Sequence, residues 1–447
     1  MAFLNTVNLV TSIFFSIIAV MYLHFTVFAV VGTFTKKKKA PVTDKFNRLG
    51  VIIPARNEES VVPGLIESVQ KNNYPQDKLQ IFVIAHNCSD RTAEIARSMG
   101  VTVYEYNNPE ENTMGYAFRH LFSCIERDYG TQNFDGFLLF NADNVLDRNY
   151  IARMNDAFEF YDHESVITSF RNSKNFGSNL ISGLYGMYFA LECRLESRGR
   201  TMLGCSTRVQ GTGYLINSSI VKDGWPYVTL AEDWEFSADQ ILRGNTIRYC
   251  DEAVFYDEQP TSFRIMWRQR VRWARGNLIV FITRGKDLIK KLFSRNNKHR
   301  VSTYDIMSNV LPLFIASMTV SVIQAIMLFI APFVSSELTF SNVFIGDSTN
   351  VLTSQGALFI WLRSLVISYV VMLMTAVLVF IVERRRIKGV SLLNKVMISL
   401  MWPFFLIIQF PICVQALFSR NLVWKPIPHS DQTTFDHVNS TDRKDKK

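Results

Sequence analysis

The sequence predicts an α/β domain with a mostly parallel sheet, attached to a membrane by apolar helices on both sides. Short apolar runs alternate with helical patterns between residues 49 and 258, which is typical of parallel strands joined by helices. Apolar stretches of bilayer-spanning length flank this region, and basic clusters follow two of them. The mean hydropathy of +0.09 lies between the values expected of a soluble enzyme and of an all-membrane transporter.

The N-terminal segment, residues 1–35, contains no Asp, Glu, Lys or Arg and is long enough to cross about 30 Å of hydrocarbon. A basic cluster, Lys36–Lys39, follows it, whereas a signal peptide carries its positive charges before the apolar run. We therefore expect a transmembrane helix over residues 1–35 with its N-terminus outside. A basic cytoplasmic linker then occupies residues 36–48.

A C-terminal transmembrane region is expected over residues 301–419. It contains apolar stretches near residues 307–334 and 356–382, each long enough to span a bilayer. No Lys or Arg occurs between Arg300 and Arg363, so we expect the loop that joins these two spans to lie outside.

The last apolar stretch, Leu392–Phe418, has two interpretations. A single helix would place the C-terminus outside, whereas a hairpin broken at Pro403 or Pro411 would return the chain to the cytoplasm. Basic residues in the polar tail, residues 420–447, favour the cytoplasm.

The net charge of +9 does not indicate a nucleic-acid partner, because the bases cluster beside apolar spans. Residues 261–300 mix aromatic side chains with many bases and a single acid, Asp287. This composition is typical of amphipathic helices on the cytoplasmic membrane surface. The six cysteines lack metal-ligand spacing, so we expect reduced and mostly buried thiols.

Residues 49–260 are expected to form a cytoplasmic domain, and ligands of such domains bind at the carboxyl ends of the parallel strands. Polar segments follow the first two predicted strands: Pro54, Arg56 and Glu58 after the first, and His86 and Asp90 after the second. Side by side, these segments would hold a nucleotide base and ribose. Each is also compatible with a simple helix cap, and neither matches a dinucleotide fingerprint or a Walker loop.

Asn141 and Asp143 follow the next predicted strand, Gly136–Phe140. A carboxylate there is well placed to bind a divalent cation that bridges a diphosphate, although an Asp that caps the next helix fits the same pattern. The segment Gly211-Thr212-Gly213 is either a turn that lets the backbone approach a ligand or merely a turn.

Two later segments carry the remaining candidate residues. Glu232 and Asp233 open a helical segment, where they either stabilise the helix dipole or deprotonate a hydroxyl nucleophile. The segment Gln269-x-x-Arg272-Trp273 offers a guanidinium for phosphate oxygens and an indole face for a sugar ring. It also fits a basic interfacial helix.

Taken together, these residues resemble the membrane-bound family 2 glycosyltransferases, which include cellulose, hyaluronan and poly-N-acetylglucosamine synthases. Gln269-x-x-Arg272-Trp273 is similar to the signature of the processive members, and Trp424-Lys425-Pro426 to a short C-terminal motif of some bacterial members. The resemblance covers residues 49 to about 280. It implies a GT-A fold and an inverting transfer from a nucleotide-sugar, usually UDP-linked.

The resemblance also implies roles for individual residues. The implied donor contacts are Pro54, Arg56, Glu58, His86, Asp90 and Asp143. The implied acceptor contacts are Gly211, Thr212, Gly213, Gln269 and Trp273. Asp143 and Asn141 would hold Mg²⁺ or Mn²⁺. Asp233 would be the general base on the acceptor hydroxyl with Glu232 beside it, and Arg272 would stabilise the departing UDP.

Three residues depart from the family pattern. Asn141 occupies the first position of the usual Asp-x-Asp metal motif, and His86 stands where an Asp normally contacts uridine. Met114 replaces a Lys that commonly approaches the phosphates. These departures imply an altered donor preference or weakened catalysis, but they leave the base and the Gln-x-x-Arg-Trp segment in place.

Three functional hypotheses follow. The leading one is a processive synthase in the plasma membrane that extends a β-linked polysaccharide from UDP-glucose or UDP-N-acetylglucosamine and exports it through its own spans. Polar residues of those spans would line the sugar path or simply join helices: Gln324, Arg363, Gln409 and Gln415. The second is a transferase that adds one sugar to a membrane lipid. The third is a catalytically silent scaffold subunit. The sequence names no export partner.

Overall fold

The computed structural model describes residues 2–36, 39–164, 166–334, 339–341, 351–419, 427 and 429–444. A central α/β domain is flanked on both sides of the chain by long apolar helices. The Trp424-Lys425-Pro426 segment and Arg420, which entered the sequence argument, lie outside the described residues.

The α/β domain is built on one eight-stranded sheet. Its strands are β1 Leu49–Ala55, β2 Leu79–His86, β3 Thr102–Tyr106, β4 Gly136–Leu139, β5 Val145–Leu146, β6 Val166–Ser173, β7 Tyr214–Asn217 and β8 Ile247–Asp257, in the order β3-β2-β1-β4-β7-β6-β8-β5. The β1–β2, β2–β3, β1–β4 and β6–β8 pairs are parallel, whereas β7 runs antiparallel to β4 and β6, and β5 to β8. The α/β class is confirmed, with a mixed sheet. Strands as short as β5 and β7 leave too little hydrophobic pattern to predict their direction.

Helices surround the sheet and form most of the flanking regions. Up to the end of the α/β domain they are α1 Ala2–Phe34, α2 Val62–Gln70, α3 Thr92–Ser98, α4 Met114–Tyr129, α5 Tyr150–Phe160, α6 Leu180–Leu191, α7 Arg198–Met202 and α8 Glu232–Arg243. A π-helical turn, Glu192–Ser197, joins α6 to α7. The later helices are α9 Phe263–Phe293, α10 Arg300–Val310, α11 Leu313–Val334, α12 Ser354–Val382, α13 Leu392–Ile407, α14 Gln409–Phe418 and α15 Phe435–Lys444. Two short strands, β9 Thr339–Ser341 and β10 Val351–Thr353, form an antiparallel pair.

A separate apolar cluster covers each face of the sheet, because successive residues of a strand point to opposite faces. In β1, Val51 and Ile53 belong to the cluster that α2 and α5 complete, whereas Ile52 belongs to the cluster of α4 and α8. All seven residues of β1 are buried. The first sheet strand is therefore covered on both sides, as its continuous apolar run predicts.

Helix α1 docks directly on the α/β domain at its C-terminal end. The carbonyl groups of Thr33 and Thr35 accept hydrogen bonds from Arg194 (3.0 Å) and Arg198 (2.8 Å), which satisfies groups that a helix end leaves unpaired. A side chain on Gly199 would collide with the backbone of Phe28. Helix α1 and the α/β domain therefore meet through close backbone packing.

Three helical segments are long and apolar enough to cross a membrane: Leu9–Phe34, Trp361–Val382 and Leu392–Phe418. A fourth is possible if Arg300–Val310 and Leu313–Met327, which meet at a bend of 52°, act as one span. These segments correspond to the apolar stretches that the sequence predicted to span the bilayer.

The ambiguous stretch, Leu392–Phe418, forms α13 and α14 with Pro403 inside α13 and no reversal between the two helices. Its start contacts the α/β domain, and its end contacts α9. Asn394 near the start bonds to Gly177 (3.4 Å), and Gln415 near the end bonds to Trp267 of α9 (2.6 Å). The residues that follow, 429–444, also contact the α/β domain, so the described tail lies on the same side as β1 and α2.

Candidate active site

The carboxyl ends of β1, β2 and β4 open into a cleft that encloses about 1200 Å³, including space open to solvent. We call it the strand-end cleft. Its lining includes eight residues predicted from the sequence: Pro54, Arg56, Glu58, His86, Asn141, Asp143, Gln269 and Arg272. Met114, one of the three residues that depart from the family pattern, also lines the cleft. Segments up to 218 residues apart in sequence therefore meet where an α/β domain is expected to bind its ligand.

His86 presents a defined tautomer to this cleft. Its Nε2 lies 2.7 Å from the carbonyl oxygen of Glu111, which only accepts hydrogen bonds, so Nε2 carries the hydrogen. Burial lowers the pKa of His86, which keeps the ring neutral and leaves Nδ1 as an acceptor. The ring also stacks on Tyr106, with centroids 5.5 Å apart. A neutral imidazole therefore stands where the family usually has a carboxylate.

Asp90 does not line the strand-end cleft. Its Oδ1 accepts hydrogen bonds from the backbone N–H of Thr92 (3.1 Å) and from the Thr92 hydroxyl (2.6 Å), and its Oδ2 accepts one from the N–H of Glu59 (3.2 Å). These contacts fix the turn before α3 against the segment after β1. Asp90 thus stabilises the turn before α3 without being its N-cap, which is Arg91, and its donor contact stays a prediction.

Asn141 and Asp143 form the part of the cleft suited to a cation. The Oδ1 atom of Asn141 is buried and has no hydrogen-bond partner among the described residues. The Oδ2 atom of Asp143 accepts from the N–H of Glu258 (2.9 Å), and the side chain is 3% exposed. An unpaired amide oxygen next to an oriented carboxylate fits a hard cation such as Mg²⁺ or Mn²⁺. Among the described residues, no group of three or more His, Cys, Asp or Glu side chains is placed to hold a metal, either here or elsewhere, so a cation here would depend on this amide and carboxylate pair.

The Gly211-Thr212-Gly213 turn contacts Asn141 and so shapes this part of the cleft. The Thr212 hydroxyl accepts from the N–H of Asn141 (2.9 Å) and donates to Asn144 (2.5 Å). Gly213 adopts a φ of 67° and lies so close to Phe255 that any side chain would collide with its ring. The turn therefore fixes the position of Asn141, and its predicted contact with an acceptor stays untested.

Glu232 and Asp233 lie at the first turn of α8, next to the turn that contains Gly211. A side chain added at Gly211 would stand 3.4 Å from Asp233 Oδ2, so glycine keeps this carboxylate uncovered. The Oδ1 atom of Asp233 accepts from the N–H of Trp234 (2.9 Å), and its carbonyl accepts from the Ser237 hydroxyl (2.7 Å). Glu232 is buried, whereas Asp233 is half-buried. Asp233 is thus the more accessible of the two acids.

The two carboxyl groups share an environment that retains protons. Burial, reinforced by the charge of Asp233, raises the pKa of Glu232 to about 8, and Arg272 partly offsets this rise. Burial also raises the pKa of Asp233. At neutral pH Glu232 therefore keeps its proton, and it is also the more buried of the two acids.

The Gln269-x-x-Arg272-Trp273 segment lies on α9 and spans two environments. Gln269 and Arg272 line the strand-end cleft, and the Oε1 atom of Gln269 has no partner among the described residues. Arg272 donates to the carbonyl of Leu230 (2.7 Å), which ties α9 to the segment before Glu232. Trp273 packs instead against Tyr185 and Phe189 of α6. Its contact with an acceptor sugar therefore stays a prediction.

Sequence reasoning missed one buried ion pair at the cleft. Arg171 Nε lies 2.7 Å from Asp257 Oδ2, and Arg171 Nη1 donates to the carbonyl of Gln210 (2.8 Å). Burial raises the pKa of Asp257 to about 6, with the positive charge of Arg171 acting against it. No local motif marks these residues, since they end β6 and β8 and meet only because those strands are neighbours. They add a fixed charge pair beside Asp143.

The C-terminal segment supplies a second group of missed residues. Ile427 and His429 line the strand-end cleft, and His429 Nδ1 lies 3.0 Å from Glu58 Oε1. Burial disfavours the imidazolium, but nearby carboxylates, foremost Asp143 and Glu58, outweigh burial and raise the pKa of His429 to about 9. The backbone N–H of Ser430 donates to Glu258 (3.0 Å). A cationic group from the chain's C-terminal end thus faces the cation site.

Buried charges extend from α8 towards α1. Arg208 binds Glu192 (2.7 Å) and Glu196 (3.2 Å), at the two ends of the π-helical turn, and stacks 4.8 Å from the ring centroid of Trp234. Glu196 also binds Arg200 (2.9 Å), which is fully buried. These paired charges support the α8 turn that carries Asp233.

The sequence matches a protein-family model described as glycosyltransferase-like family 2 over residues 47–276, which is more than half of the chain. The chain belongs to this family. The matched residues of this family 2 glycosyltransferase include the whole eight-stranded sheet, Glu232 and Asp233, and the Gln269-x-x-Arg272-Trp273 segment. The family part of the resemblance deduced from the motifs is therefore confirmed.

Curated relatives of this family 2 glycosyltransferase are about a quarter identical to it over the matched residues. It is 27% identical over 242 residues to a probable glycosyltransferase, YdaM, of Bacillus subtilis (strain 168), a match that covers 53% of the chain and 56% of that protein. It is 23% identical over 277 residues to the poly-β-1,6-N-acetyl-D-glucosamine synthase of Staphylococcus aureus (strain COL), covering 61% and 63%. The matches thus span less than two thirds of either relative.

Among solved structures, the mannosyltransferase PcManGT from Pyrobaculum calidifontis, in complex with GDP-mannose and Mn²⁺, superposes with a TM-score of 0.57 at 13% identity. The match covers 94% of this family 2 glycosyltransferase and 100% of that chain. At this identity the likeness shows the fold alone. The predicted GT-A fold class is confirmed.

Proposed function

We propose that this family 2 glycosyltransferase transfers a hexosyl unit from a nucleotide-sugar, with UDP as the first expectation, to the hydroxyl group of a growing β-linked polysaccharide at the cytoplasmic face of a membrane. One observation carries the proposal. The strand ends that carry Arg56, His86 and Asp143 meet Gln269 and Arg272 of α9 in a single cleft. Donor-binding and leaving-group residues are thereby brought together from distant parts of the chain.

The donor is held with its diphosphate at Asn141 and Asp143. Asn141 and Asp143 would also hold a divalent cation, which would supply positive charge to the departing diphosphate. His429 and Arg272 add positive charge at the same cleft. The nucleobase of the donor lies towards His86. The neutral ring of His86 accepts a single hydrogen bond through Nδ1. A uracil ring offers one N–H donor at N3, which matches that acceptor.

Asp233 accepts the proton of the acceptor hydroxyl while the oxygen of that hydroxyl attacks the anomeric carbon of the donor sugar. The bond between that carbon and the phosphate oxygen breaks, a glycosidic bond forms with inversion, and the nucleoside diphosphate leaves. Glu232 retains its own proton, which spares Asp233 a second negative charge beside it. A positioned base of this kind contributes about 10²–10⁴-fold to the rate.

A second candidate, addition of one sugar to a membrane lipid, is favoured by a specific observation in the apolar helices. Gln409 and Gln415 were predicted to line a sugar path or to join helices. In the structure Gln409 accepts from Arg270 (2.9 Å) and Gln415 from Trp267 (2.6 Å), so both hold α14 to α9. Arg363 is exposed on α12. These two glutamines therefore join helices, which is the second of their two predicted roles.

Sugar transfer in washed membranes tests both candidates and the scaffold alternative. Labelled UDP-sugars and GDP-mannose are offered with Mg²⁺ or Mn²⁺, and products are separated by organic extraction and gel filtration. Polymer in the aqueous phase supports the synthase, and label in the organic phase supports lipid modification. Asp233→Asn is expected to abolish either product, whereas Asp287→Asn, an exposed acid of α9 away from the cleft, is the matched control. Silence with every donor would contradict transferase activity and favour the scaffold.

A further inference from the structure

Helix α9 carries an apolar stripe that begins on its contact with the membrane helices. Trp267, Val271 and Leu278 form one cluster with Phe314 of α11 and Ile412 of α14. α14 lies within a candidate span, and α11 belongs to the bent pair. This part of α9 therefore faces the side of the molecule on which the spans lie.

The same apolar face of α9 continues past its contacts with α11 and α14. Ile282, Ile289 and Phe293 follow Leu278 at intervals of four, seven and four residues, which keeps them on one face of the helix. Their exposed fractions are 72%, 45% and 80%. Apolar side chains on successive turns of one face, left uncovered by the described chain, indicate a contact outside the polypeptide.

The opposite face of the second half of α9 is buried against other helices. Val280 and Leu288 are fully buried against Ala238 and Ile241 of α8 and Ile306 of α10. The second half of α9 therefore has two apolar faces. One packs on the α/β domain, and the other, formed by Ile282, Ile289 and Phe293, is exposed. We call the exposed face the α9 stripe.

Exposed bases border the α9 stripe. Lys286 lies between its turns and Lys290 beside it, and three more exposed bases follow the helix: Arg295, Lys298 and Arg300. Within the described ranges, none of these five bases forms an ion pair with a carboxylate. The one acid of this region, Asp287, is turned away from the stripe by its position on the helix. The border is therefore uniformly positive.

We propose that the α9 stripe docks on the surface of a bilayer leaflet and recruits anionic lipid headgroups through Lys286 and Lys290. An exposed apolar face bordered by unpaired bases matches a lipid leaflet, in which apolar acyl chains lie beneath negatively charged headgroups. Its continuity with the contact to α11 and α14 places it at the level of that leaflet. The inference goes beyond sugar transfer, since it concerns which lipids surround the protein.

The test adds a fluorescent reporter within the stripe. The full-length Phe293→Trp variant and the wild type are reconstituted in bilayers that contain brominated phosphatidylglycerol or brominated phosphatidylcholine, and their difference isolates the added tryptophan from the seven native ones. We expect the brominated anionic lipid to quench the reporter more strongly at equal mole fraction. Each base near the surface favours anionic lipid roughly five-fold.

Two variants in the reporter background separate charge from position. Lys286→Gln with Lys290→Gln is expected to remove the excess quenching by phosphatidylglycerol, and 0.5 M salt is expected to weaken it. Lys291→Gln, which removes a neighbouring base on the other side of the helix, is expected to retain it.

Three outcomes overturn the proposal. Equal quenching by both lipids would show contact with the bilayer without selection of anionic headgroups. No quenching by either lipid would show that a protein covers the stripe, and the mass of the solubilised protein would then distinguish a second copy of the chain from a monomer. Excess quenching that survives the double substitution would remove the role of Lys286 and Lys290. None of these measurements depends on sugar transfer, so their failure is distinct from failure of the proposed enzymatic function.

Discussion

His429 Nδ1 lies 3.0 Å from Glu58 Oε1, although 371 residues separate them in the chain. The contact brings the C-terminal segment over the strand-end cleft, where His429 lies among the donor-binding candidates. The segment continues into α15, whose Phe435 is 3% exposed against α2 and β5. His429 of the described C-terminal segment is therefore part of the candidate active site.

His429 is expected to support donor binding. His429→Gln removes a cationic group beside the diphosphate position while keeping a polar side chain, so the KM for the donor should rise about ten-fold with little change in kcat, in line with the loss of one charge-assisted hydrogen bond. Initial rates at varied donor concentration measure both constants. His437→Gln, on the exposed side of the same segment, is the control and should leave both unchanged. A fall in kcat at constant KM would contradict this role.

Asn141 is expected to limit metal affinity. Asn141→Asp adds a negative charge to the pair that faces the cation, so the Kd for Mn²⁺ in the presence of UDP should fall about ten-fold. Asp143→Asn should weaken binding by at least as much. Isothermal titration of purified protein measures both, with Asn296→Asp, an exposed position, as the control. An Asn141→Asp affinity equal to that of the wild type would place the cation elsewhere.

The transfer rate is expected to depend on pH through the Glu232–Asp233 pair. Burial raises the pKa values of both acids above their ordinary range, so Asp233 takes up a proton, and the rate falls, at a higher pH than for an exposed carboxylate. Glu232→Gln replaces a protonated carboxyl group with a neutral amide, so it adds or removes no charge beside Asp233. The acidic limb of kcat between pH 5 and 9 should therefore stay close to that of the wild type.

Glu235→Gln, a buried acid one turn further along α8, is the comparison for that profile. Its effect on the acidic limb should also be small. An acidic limb that moves to lower pH when Glu232 is replaced would show that Glu232 carries a negative charge beside Asp233.

Gly199 is expected to be intolerant of a side chain. Gly199→Ala places a methyl group against the backbone of Phe28, so docking of α1 on the α/β domain should lose about 1–3 kcal/mol and the Tm of the purified protein should fall. Gly64→Ala provides the matched control, because a methyl group there meets only ordinary contacts at 3.8 Å or more. Equal Tm values for the two variants would show that α1 shifts at no cost.

Sequence reasoning found the residues that follow strands and missed those that meet through the sheet. Pro54, His86 and Asp143 are adjacent to apolar runs whose length and composition mark strand ends, so their neighbourhood follows from the rule for parallel sheets. Arg171 and Asp257 end strands too, but the sequence does not show that β6 and β8 pair in parallel. Their meeting depends on strand order, which local patterns do not encode.

The outcome for Asp90 and Trp273 has a different cause. Both belong to motifs whose residue types indicate function. In the structure, however, Asp90 accepts hydrogen bonds within its own turn, and Trp273 packs against aromatic rings of α6. A polar or aromatic residue satisfies whichever partner the packing brings nearest. The choice between a ligand and a neighbouring residue is therefore made by tertiary contacts.

The sequence by itself determined the fold class, the family, and the existence of apolar helices on both sides of the α/β domain, because periodicity, apolar length and motif order are local properties of the chain. Tertiary structure alone decided that His429 reaches Glu58, that Gln409 and Gln415 bind α9, and that Glu232 retains its proton beside Asp233. These features depend on burial and on distances between remote segments, and both exist only once the chain is folded.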